Sequence, residues 1–276
     1  MVNSLGKAKK GRGKSQGTHR HRKSAPNIVE GLVSQADVVI QVLDSRFIER
    51  TRNLELEKKI REKNKILVYV FNKSDLVDID KIKIEKDLSG LKPCIFFSSV
   101  KRKGSATLRR LIKTEAKKLK QELVNVAVIG YPNTGKSSLI NSLAGRSVSK
   151  TSSEAGYTKG IQKIKISEGV YLIDTPGVIP PEEKFSRDKK ILAKHSKVGA
   201  ITWYKAKDPE MIVFEIMKEY PGILEKHYEI EADGDSEILI ENLGRKVNYL
   251  KKGNEVDEIR SAKKILRDWQ EGKIRF

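Results

Sequence analysis

The chain is 276 residues long, which fits one core domain with a smaller second domain or a tail. Its 56 Lys and Arg against 36 Asp and Glu give a formal net charge of +20, which excludes an acidic disordered chain and favours a polyanionic partner. The single cysteine, Cys94, excludes a disulfide framework and indicates a reducing compartment, because no metal-type Cys/His spacing accompanies it.

The sequence carries no signal for secretion or membrane insertion. Its first 26 residues lack the apolar stretch of a signal peptide. The longest apolar run, residues 66–71, is far shorter than the roughly 20 residues of a membrane helix. We therefore expect a cytoplasmic protein with no membrane partner.

Charge divides the chain into three stretches. Residues 1–27 hold eight Lys and Arg and no acid, and are predicted to form a disordered basic arm. Such an arm binds polyanions by counterion release, or serves as a general solubilising or localisation tail. Residues 28–181 hold 28 basic and 17 acidic side chains, and residues 182–276 hold 20 and 19, so the excess lies on the arm and the middle stretch.

The middle stretch alternates short apolar runs with segments of helical composition. The predicted strands are residues 36–43, 65–71, 93–97, 124–129 and 170–173. The predicted helices between them are residues 53–63, 79–88, 105–123 and 136–143. This alternation predicts an α/β fold with a doubly wound sheet, in which ligands bind beyond the carboxyl ends of the strands.

A phosphate-binding loop follows the run at residues 124–129. Gly130, Gly135, Lys136 and Ser137 complete the pattern G-x-x-x-x-G-K-S between a strand and a helix. Backbone N–H groups of such a loop surround phosphates, the lysine reaches the β- and γ-phosphates, and the serine hydroxyl ligates Mg²⁺. The predicted phosphate-binding residues here are Asn133, Thr134, Gly135, Lys136, Ser137 and Ser138.

A second acidic motif follows the run at residues 170–173. Asp174 and Gly177 form D-x-x-G, in which the acid holds Mg²⁺ and the glycine N–H contacts a γ-phosphate. Thr158 lies in a polar loop between the two motifs and is the predicted third Mg²⁺ ligand, or else an ordinary loop threonine.

The run at residues 65–71 leads into Asn72-Lys73-Ser74-Asp75, the pattern N-K-x-D. A carboxylate there accepts two N–H donors that guanine offers and adenine does not, and the lysine packs along the base. The same residues also suit an ordinary helix N-cap. Ser98 and Ser99, after residues 93–97, are predicted to support the guanine carbonyl.

The motifs occur in a permuted order, with N-K-x-D and the serine loop ahead of the phosphate loop. A chain with its ends moved builds the same pocket if the original ends lay close together. Over about residues 35–180 the chain resembles the circularly permuted ribosome-assembly GTPases of the YlqF/RbgA type. The resemblance extends more weakly to Ile265-Leu-Arg-Asp-Trp269 and Gly272-Lys-Ile.

The resemblance implies GTP/GDP and Mg²⁺ as cofactors and GTP hydrolysis to GDP and phosphate. It also implies slow turnover stimulated by a ribosomal subunit, since hydrophobic Val178 replaces the water-orienting Gln that many GTPases carry. Asn133 matches the asparagine that ligates K⁺ in several relatives, or it satisfies its own loop backbone. The G-H-M motif of some bacterial relatives is missing, so neither His19 nor His21 is assigned as catalytic.

Residues 182–276 are predicted to form a helical C-terminal domain, with helices at residues 209–218 and 257–270. A basic edge near its end is predicted to contact RNA: Lys263, Lys264, Arg267, Lys273 and Arg275. The predicted protein is a monomeric ribosome-biogenesis GTPase with nucleotide-gated binding to a subunit, the large one favoured, and to its rRNA, with no DNA partner. The alternatives are a GTPase acting on another RNA such as tRNA, and a non-hydrolysing RNA-binding scaffold.

Overall fold

A computed structural model of the chain describes residues 25–144, 163–173 and 194–275, and these residues contain a six-stranded sheet. The strands are β1 (Val38–Asp44), β2 (Ile66–Asn72), β3 (Cys94–Phe96), β4 (Val124–Gly130), β5 (Lys163–Ser167) and β6 (Val170–Ile173). Their order across the sheet is β3-β2-β1-β4-β6-β5. The first five strands in this order pair in parallel, and β5 pairs antiparallel to β6.

Two layers of helices cover the sheet, because its strands bury alternate side chains on opposite faces. The helices of this part are α1 (Ala25–Gln35), α2 (Ile48–Thr51), α3 (Leu54–Glu62), α4 (Ile79–Glu85), α5 (Ser105–Lys118) and α6 (Lys136–Ala144). On β1, for example, Ile40 faces the core formed with α5 and α6, and Val39 faces the core formed with α1 and α3. The predicted doubly wound α/β class is confirmed.

Strand β5 was not predicted. Its sequence, Lys-Ile-Lys-Ile-Ser, alternates polar and apolar residues, whereas the strand predictions rested on continuous apolar runs. Alternation is the pattern of a strand with one buried face, and β5 lies at the antiparallel edge of the sheet. At the other end of the chain, α1 begins at Ala25, so the predicted boundary at residue 27 falls inside a helix.

Two helices end earlier than the composition predicted. The helix predicted for residues 105–123 ends at Lys118, and Lys120 adopts a left-handed backbone with φ of 52°. The helix predicted for residues 79–88 ends at Glu85, because Lys86 is already extended.

The C-terminal part is helical, as predicted, and has a core of its own. Its helices are α7 (Pro209–Glu219), α8 (Ile223–Tyr228), α9 (Ser236–Lys246) and α10 (Glu258–Glu271). Trp269 on α10 is fully buried there. Phe47, which follows β1, and Tyr131 of the phosphate loop belong to the same cluster, so this core is continuous with the nucleotide-binding end of the sheet. Within the described ranges, no helix has the length and apolar character needed to cross a membrane.

Candidate guanine nucleotide site

Most of the described residues predicted to bind nucleotide line one cavity of about 390 Å³ beyond the carboxyl ends of β2 and β4, whereas Ser74, Ser98 and Thr134 lie outside its lining. The predicted residues that line it are Asn72, Lys73, Asp75, Ser99, Asn133, Gly135, Lys136, Ser137 and Ser138. Val100, which follows Ser99 in the predicted serine loop, also lines it, and three residues outside the motifs complete the lining: Leu76, Gln270 and Glu271. Strands β2 and β4 are 58 residues apart in the sequence, but both pair with β1 in parallel, so the base and phosphate motifs that follow them lie at the same edge of the sheet.

Side-chain hydrogen bonds hold the predicted guanine-binding residues in place. The Ser98 hydroxyl donates to Asp75 Oδ1 at 2.5 Å, and the Ser99 hydroxyl donates to Asn72 Oδ1 at 3.2 Å. Both serines thus orient the N-K-x-D motif through their side chains, in addition to the predicted role for their loop. Ser74 is buried, and its backbone N–H donates to the carbonyl of Phe97.

Asn72 joins the base side of the site to the phosphate side. Its side-chain amide donates to the Thr134 carbonyl at 2.7 Å, and both residues are buried. Gly135 has φ of 96° and lies against the same amide, so a Cβ atom at this position would collide with Asn72 Nδ2. Only glycine allows the two loops to approach this closely.

Lys136 is a buried cation at the start of α6. Its Nζ donates to the Tyr131 carbonyl at 2.7 Å, and burial lowers its pKa to about 8. A nucleotide phosphate would supply the negative charge that favours the protonated amine. The position and the depressed pKa both fit the predicted role in phosphate binding.

Lys73 pairs with Asp44, which the motifs had not indicated. Lys73 Nζ lies 2.8 Å from Asp44 Oδ2, and Arg46 donates to both oxygens of the same carboxylate at 3.0 and 2.8 Å. Burial by itself raises the pKa of Asp44, but the charges and hydrogen bonds of Lys73 and Arg46 outweigh it and hold that pKa well below its ordinary value. Asp44 is therefore a buried anion that fixes both cations.

Asn133 contacts the C-terminal part. Its side-chain amide nitrogen donates to the Gly199 carbonyl at 2.5 Å, and its backbone has φ of 60°. The predicted alternative, in which Asn133 only satisfies its own loop, does not account for this contact. The bond uses the nitrogen, which leaves Oδ1 as the atom suited to a cation.

The predicted Mg²⁺ ligands fall into two groups. Ser137 lines the cavity directly after Lys136, as a P-loop serine ligand must. Thr158 and Asp174 lie outside the described residues, as do Gly177 and Val178. No cluster of three His, Cys, Asp or Glu occurs in the described ranges, which is compatible with Mg²⁺ because that ion takes most of its ligands from water and nucleotide phosphates.

Comparison with known proteins agrees with this geometry. The RsgA GTPase family matches residues 19–182, and the 50S ribosome-binding GTPase family matches residues 125–242. The crystal structure of GNP-bound YlqF from T. maritima superposes with a TM-score of 0.66 and 26% sequence identity, covering 91% of this chain and 95% of that one. The chain belongs to the RsgA GTPase family and has the circularly permuted GTPase fold of YlqF.

Curated relatives of this permuted GTPase include longer proteins. An uncharacterized GTP-binding protein of Methanocaldococcus jannaschii is 37% identical over 253 residues, which are 90% of this chain and 65% of that protein. Nucleolar GTP-binding protein 2 of Saccharomyces cerevisiae is 35% identical over 250 residues, which are 88% of this chain and 50% of that protein. The chain therefore spans between half and two-thirds of the length of these relatives.

Sequence reasoning missed two pairs of residues that contribute to the site of this permuted GTPase. Asp44 is the last residue of β1 and Arg46 follows it, at the same sheet edge as the motifs, and their position at the end of a buried strand was a signal that went unused. Gln270 and Glu271 reach the cavity from the end of α10. No local sequence pattern predicts that a helix so far away in the chain packs against the nucleotide site.

Proposed function

We propose that the chain binds GTP in this cavity and hydrolyses it to GDP and phosphate. Asp75 accepts the guanine N–H groups, Lys73 lies along the base, and Asn72 and the two serines hold the loop. Lys136 and the backbone of residues 133–138 bind the phosphates. The GNP and GDP carried by solved YlqF structures support a guanine nucleotide as the ligand.

Mg²⁺ in this proposal is held by Ser137 together with Thr158 and Asp174. When bound there, the ion would neutralise negative charge on the nucleotide phosphates. Gly177 would contact the γ-phosphate. Val178 has no group with which to orient water, so intrinsic turnover is slow and needs stimulation by a ribosomal subunit. Asn133 Oδ1 is the proposed K⁺ ligand.

The partner we propose is an assembling ribosomal subunit, the large one favoured, with its rRNA. The names of the nucleolar relatives and of the 50S ribosome-binding family support this choice. Within the chain, the support is a groove of about 490 Å³ along α10. Its lining includes four of the five residues of the predicted basic edge: Lys263, Lys264, Arg267 and Lys273.

Arginines lie over aromatic rings in this groove. The Arg260 guanidinium is 4.0 Å from the centre of the Tyr249 ring, and that of Arg267 is 5.6 Å from the Trp203 ring. Exposed cations beside aromatic faces suit RNA, because phosphates attract the charges and unstacked bases stack on the rings. In this proposal the basic arm precedes α1, the GTPase domain runs from α1 to residue 181, and residues 182–276 form the RNA-contacting domain.

The observation that carries the proposal is that one helix, α10, borders both the candidate nucleotide cavity and the basic groove. The end of α10 bears the basic groove on one side and lines the nucleotide cavity with Gln270 and Glu271 on the other. Nucleotide occupancy and subunit binding therefore meet at one helix, while the difference between GTP and GDP is proposed to be sensed at Gly177, which would contact the γ-phosphate.

Co-sedimentation with isolated small and large subunits at matched salt tests the proposal, comparing a non-hydrolysable GTP analogue with GDP. We expect binding to the large subunit with the analogue and release with GDP. Displacement by tRNA would favour a tRNA-directed GTPase. Equal binding in both states with no phosphate release under any stimulus would favour the scaffold and overturn the proposal.

A further inference from the structure

The end of α10 touches the guanine side of the site through two separate contacts. Arg46 Nη1 donates to the Trp269 carbonyl at 2.7 Å, in the last turn of the helix. Gly272 ends the helix with φ of 76° against Leu76, the residue that follows Asp75. A Cβ atom on Gly272 would lie 2.9 Å from Leu76 Cδ2 and nearer still to Cδ1.

The first contact, from Arg46 to Trp269, is linked through Asp44 to Lys73, the lysine proposed to lie along the base. The Arg46 and Asp44 side chains are 1% and 0% exposed, so water does not screen their ion pair. The same carboxylate holds Lys73, which is 22% exposed and lines the nucleotide cavity. Asp44 is thus the shared counter-ion of one cation that faces the base and one that holds α10.

The second contact forms part of the cavity wall. Leu76, Gln270 and Glu271 line the cavity together, and Gly272 packs against Leu76 from behind. Withdrawal of the helix end would remove two lining residues and leave Leu76 unsupported. The loop of the N-K-x-D motif and the end of α10 therefore stabilise each other's positions.

We propose that the end of α10 is the base-side wall of the guanine pocket, and that Arg46 is the positioning residue that couples base binding to docking of the C-terminal helices. The proposal rests on the guanine site proposed above. Neither contact involves the phosphate-binding residues. The coupling therefore responds to GDP and GTP alike, unlike a switch that senses the γ-phosphate.

The coupling between base binding and helix docking can be measured from either side, because thermodynamic linkage makes it reciprocal. If docking of α10 favours base binding, a bound nucleotide must stabilise the docking by the same factor. Loosening the helix end should weaken GDP and a GTP analogue equally, and either nucleotide should protect the helix end. A γ-phosphate switch predicts a difference between the two nucleotides in both measurements.

The first experiment compares Arg46→Lys with Arg50→Lys by titration with a fluorescent GDP and a fluorescent GTP analogue. Lysine at position 46 keeps a charge beside Asp44 but loses the fork that reaches Trp269 at the same time. Arg50 also joins the two parts of the chain, through Glu219, without touching Asp44. We expect Arg46→Lys to weaken both nucleotides by the same factor, about fivefold or more, and Arg50→Lys to leave both unchanged.

The second experiment compares Gly272→Ala with Gly234→Ala. Gly234 has φ of 79° and nothing within 4 Å of its Cβ position, so it bears the same backbone strain without the contact. We expect only Gly272→Ala to weaken both nucleotides. Adding Leu76→Ala to Gly272→Ala should recover part of the loss, because it removes the collision. Equal affinities for the two glycine variants, or additive effects of Leu76→Ala, would overturn the proposal.

Hydrogen exchange at residues 266–274 of the unmodified chain provides the reciprocal readout. We expect GDP and the analogue to slow exchange equally, and Arg46→Lys to reduce that protection. Protection by the analogue alone would overturn the coupling. If the unmodified chain bound no guanine nucleotide, the proposed function would fail instead, so the two failures are distinct. Thermal unfolding of each variant identifies any that fail to fold.

Discussion

The base side and the phosphate side of the nucleotide cavity are built on different principles. On the base side, each charged side chain has a partner of the same chain: Asp75 accepts from Ser98, and Asp44 holds Lys73 and Arg46. On the phosphate side, Lys136 is buried against a backbone carbonyl, and burial is the cause of its lowered pKa. The base side is complete without ligand, whereas the phosphate side gains a counter-charge when a phosphate arrives.

Under the proposed function, this difference places base specificity and charge sensing at opposite ends of one pocket. A preorganised base side discriminates strongly, because a mismatched base leaves buried polar groups unpaired. A buried cation makes the phosphate side respond to pH and to the charge of the ligand. The two sides meet at the Asn72–Thr134 hydrogen bond.

The largest effect is expected from replacing Asp75. Asp75→Ala should weaken GDP binding by about 100-fold or more, since two hydrogen bonds to a charged acceptor are lost and each contributes about 1.5–3 kcal/mol. Asp75→Asn should shift the preference toward xanthine nucleotides, because an amide N–H meets the carbonyl that xanthine carries in place of the amine. Titration of both variants with guanine and xanthine diphosphates measures this. Retained GDP affinity in Asp75→Ala would show that the base lies elsewhere.

The next effect concerns hydrolysis. Lys136→Ala should lower the rate of phosphate release by about 100- to 1,000-fold, the usual cost of removing one preorganised charge from a transition state. Lys113→Ala removes an exposed charge from α5 and serves as the control for net charge. Release of phosphate under saturating GTP with a ribosomal subunit present is the measurement. Equal rates in the two variants would remove Lys136 from the mechanism.

The same contrast explains which parts of the fold and site could be predicted from the sequence. The parallel strands and the nucleotide motifs have local signatures, since buried strands need continuous apolar runs and phosphate loops need glycine at fixed spacing. Strand β5 was missed because the strand predictions used continuous apolar runs, whereas its polar and apolar residues alternate. Asp44 and Arg46 form no motif, and their role follows from Lys73 and Trp269, which only the folded chain brings to them.

The smallest effect, and the one most specific to the phosphate side, is a pH dependence of nucleotide affinity. The pKa of Lys136 is about 8 in the nucleotide-free protein, and bound phosphates must raise it because they favour the charged amine. Above pH 8, binding therefore requires proton uptake, and the dissociation constant for GDP should rise by up to about tenfold per pH unit. Below pH 8 the lysine is already charged and contributes no pH dependence.

Stability of the nucleotide-free protein should change with the opposite sign. An unfolded lysine has a pKa of about 10.4, so between pH 8 and that value the unfolded chain binds more protons than the folded one, and stability rises with pH. Titrations with GDP and thermal unfolding between pH 7 and about 9 measure both trends. Lys136→Arg stays charged throughout, so it should lose both trends and report any titration of the base itself. If the affinity of the unmodified chain for GDP did not change with pH, the buried Lys136 amine would not be the group that contacts the phosphates. The contrast between the two sides of the pocket would then no longer hold.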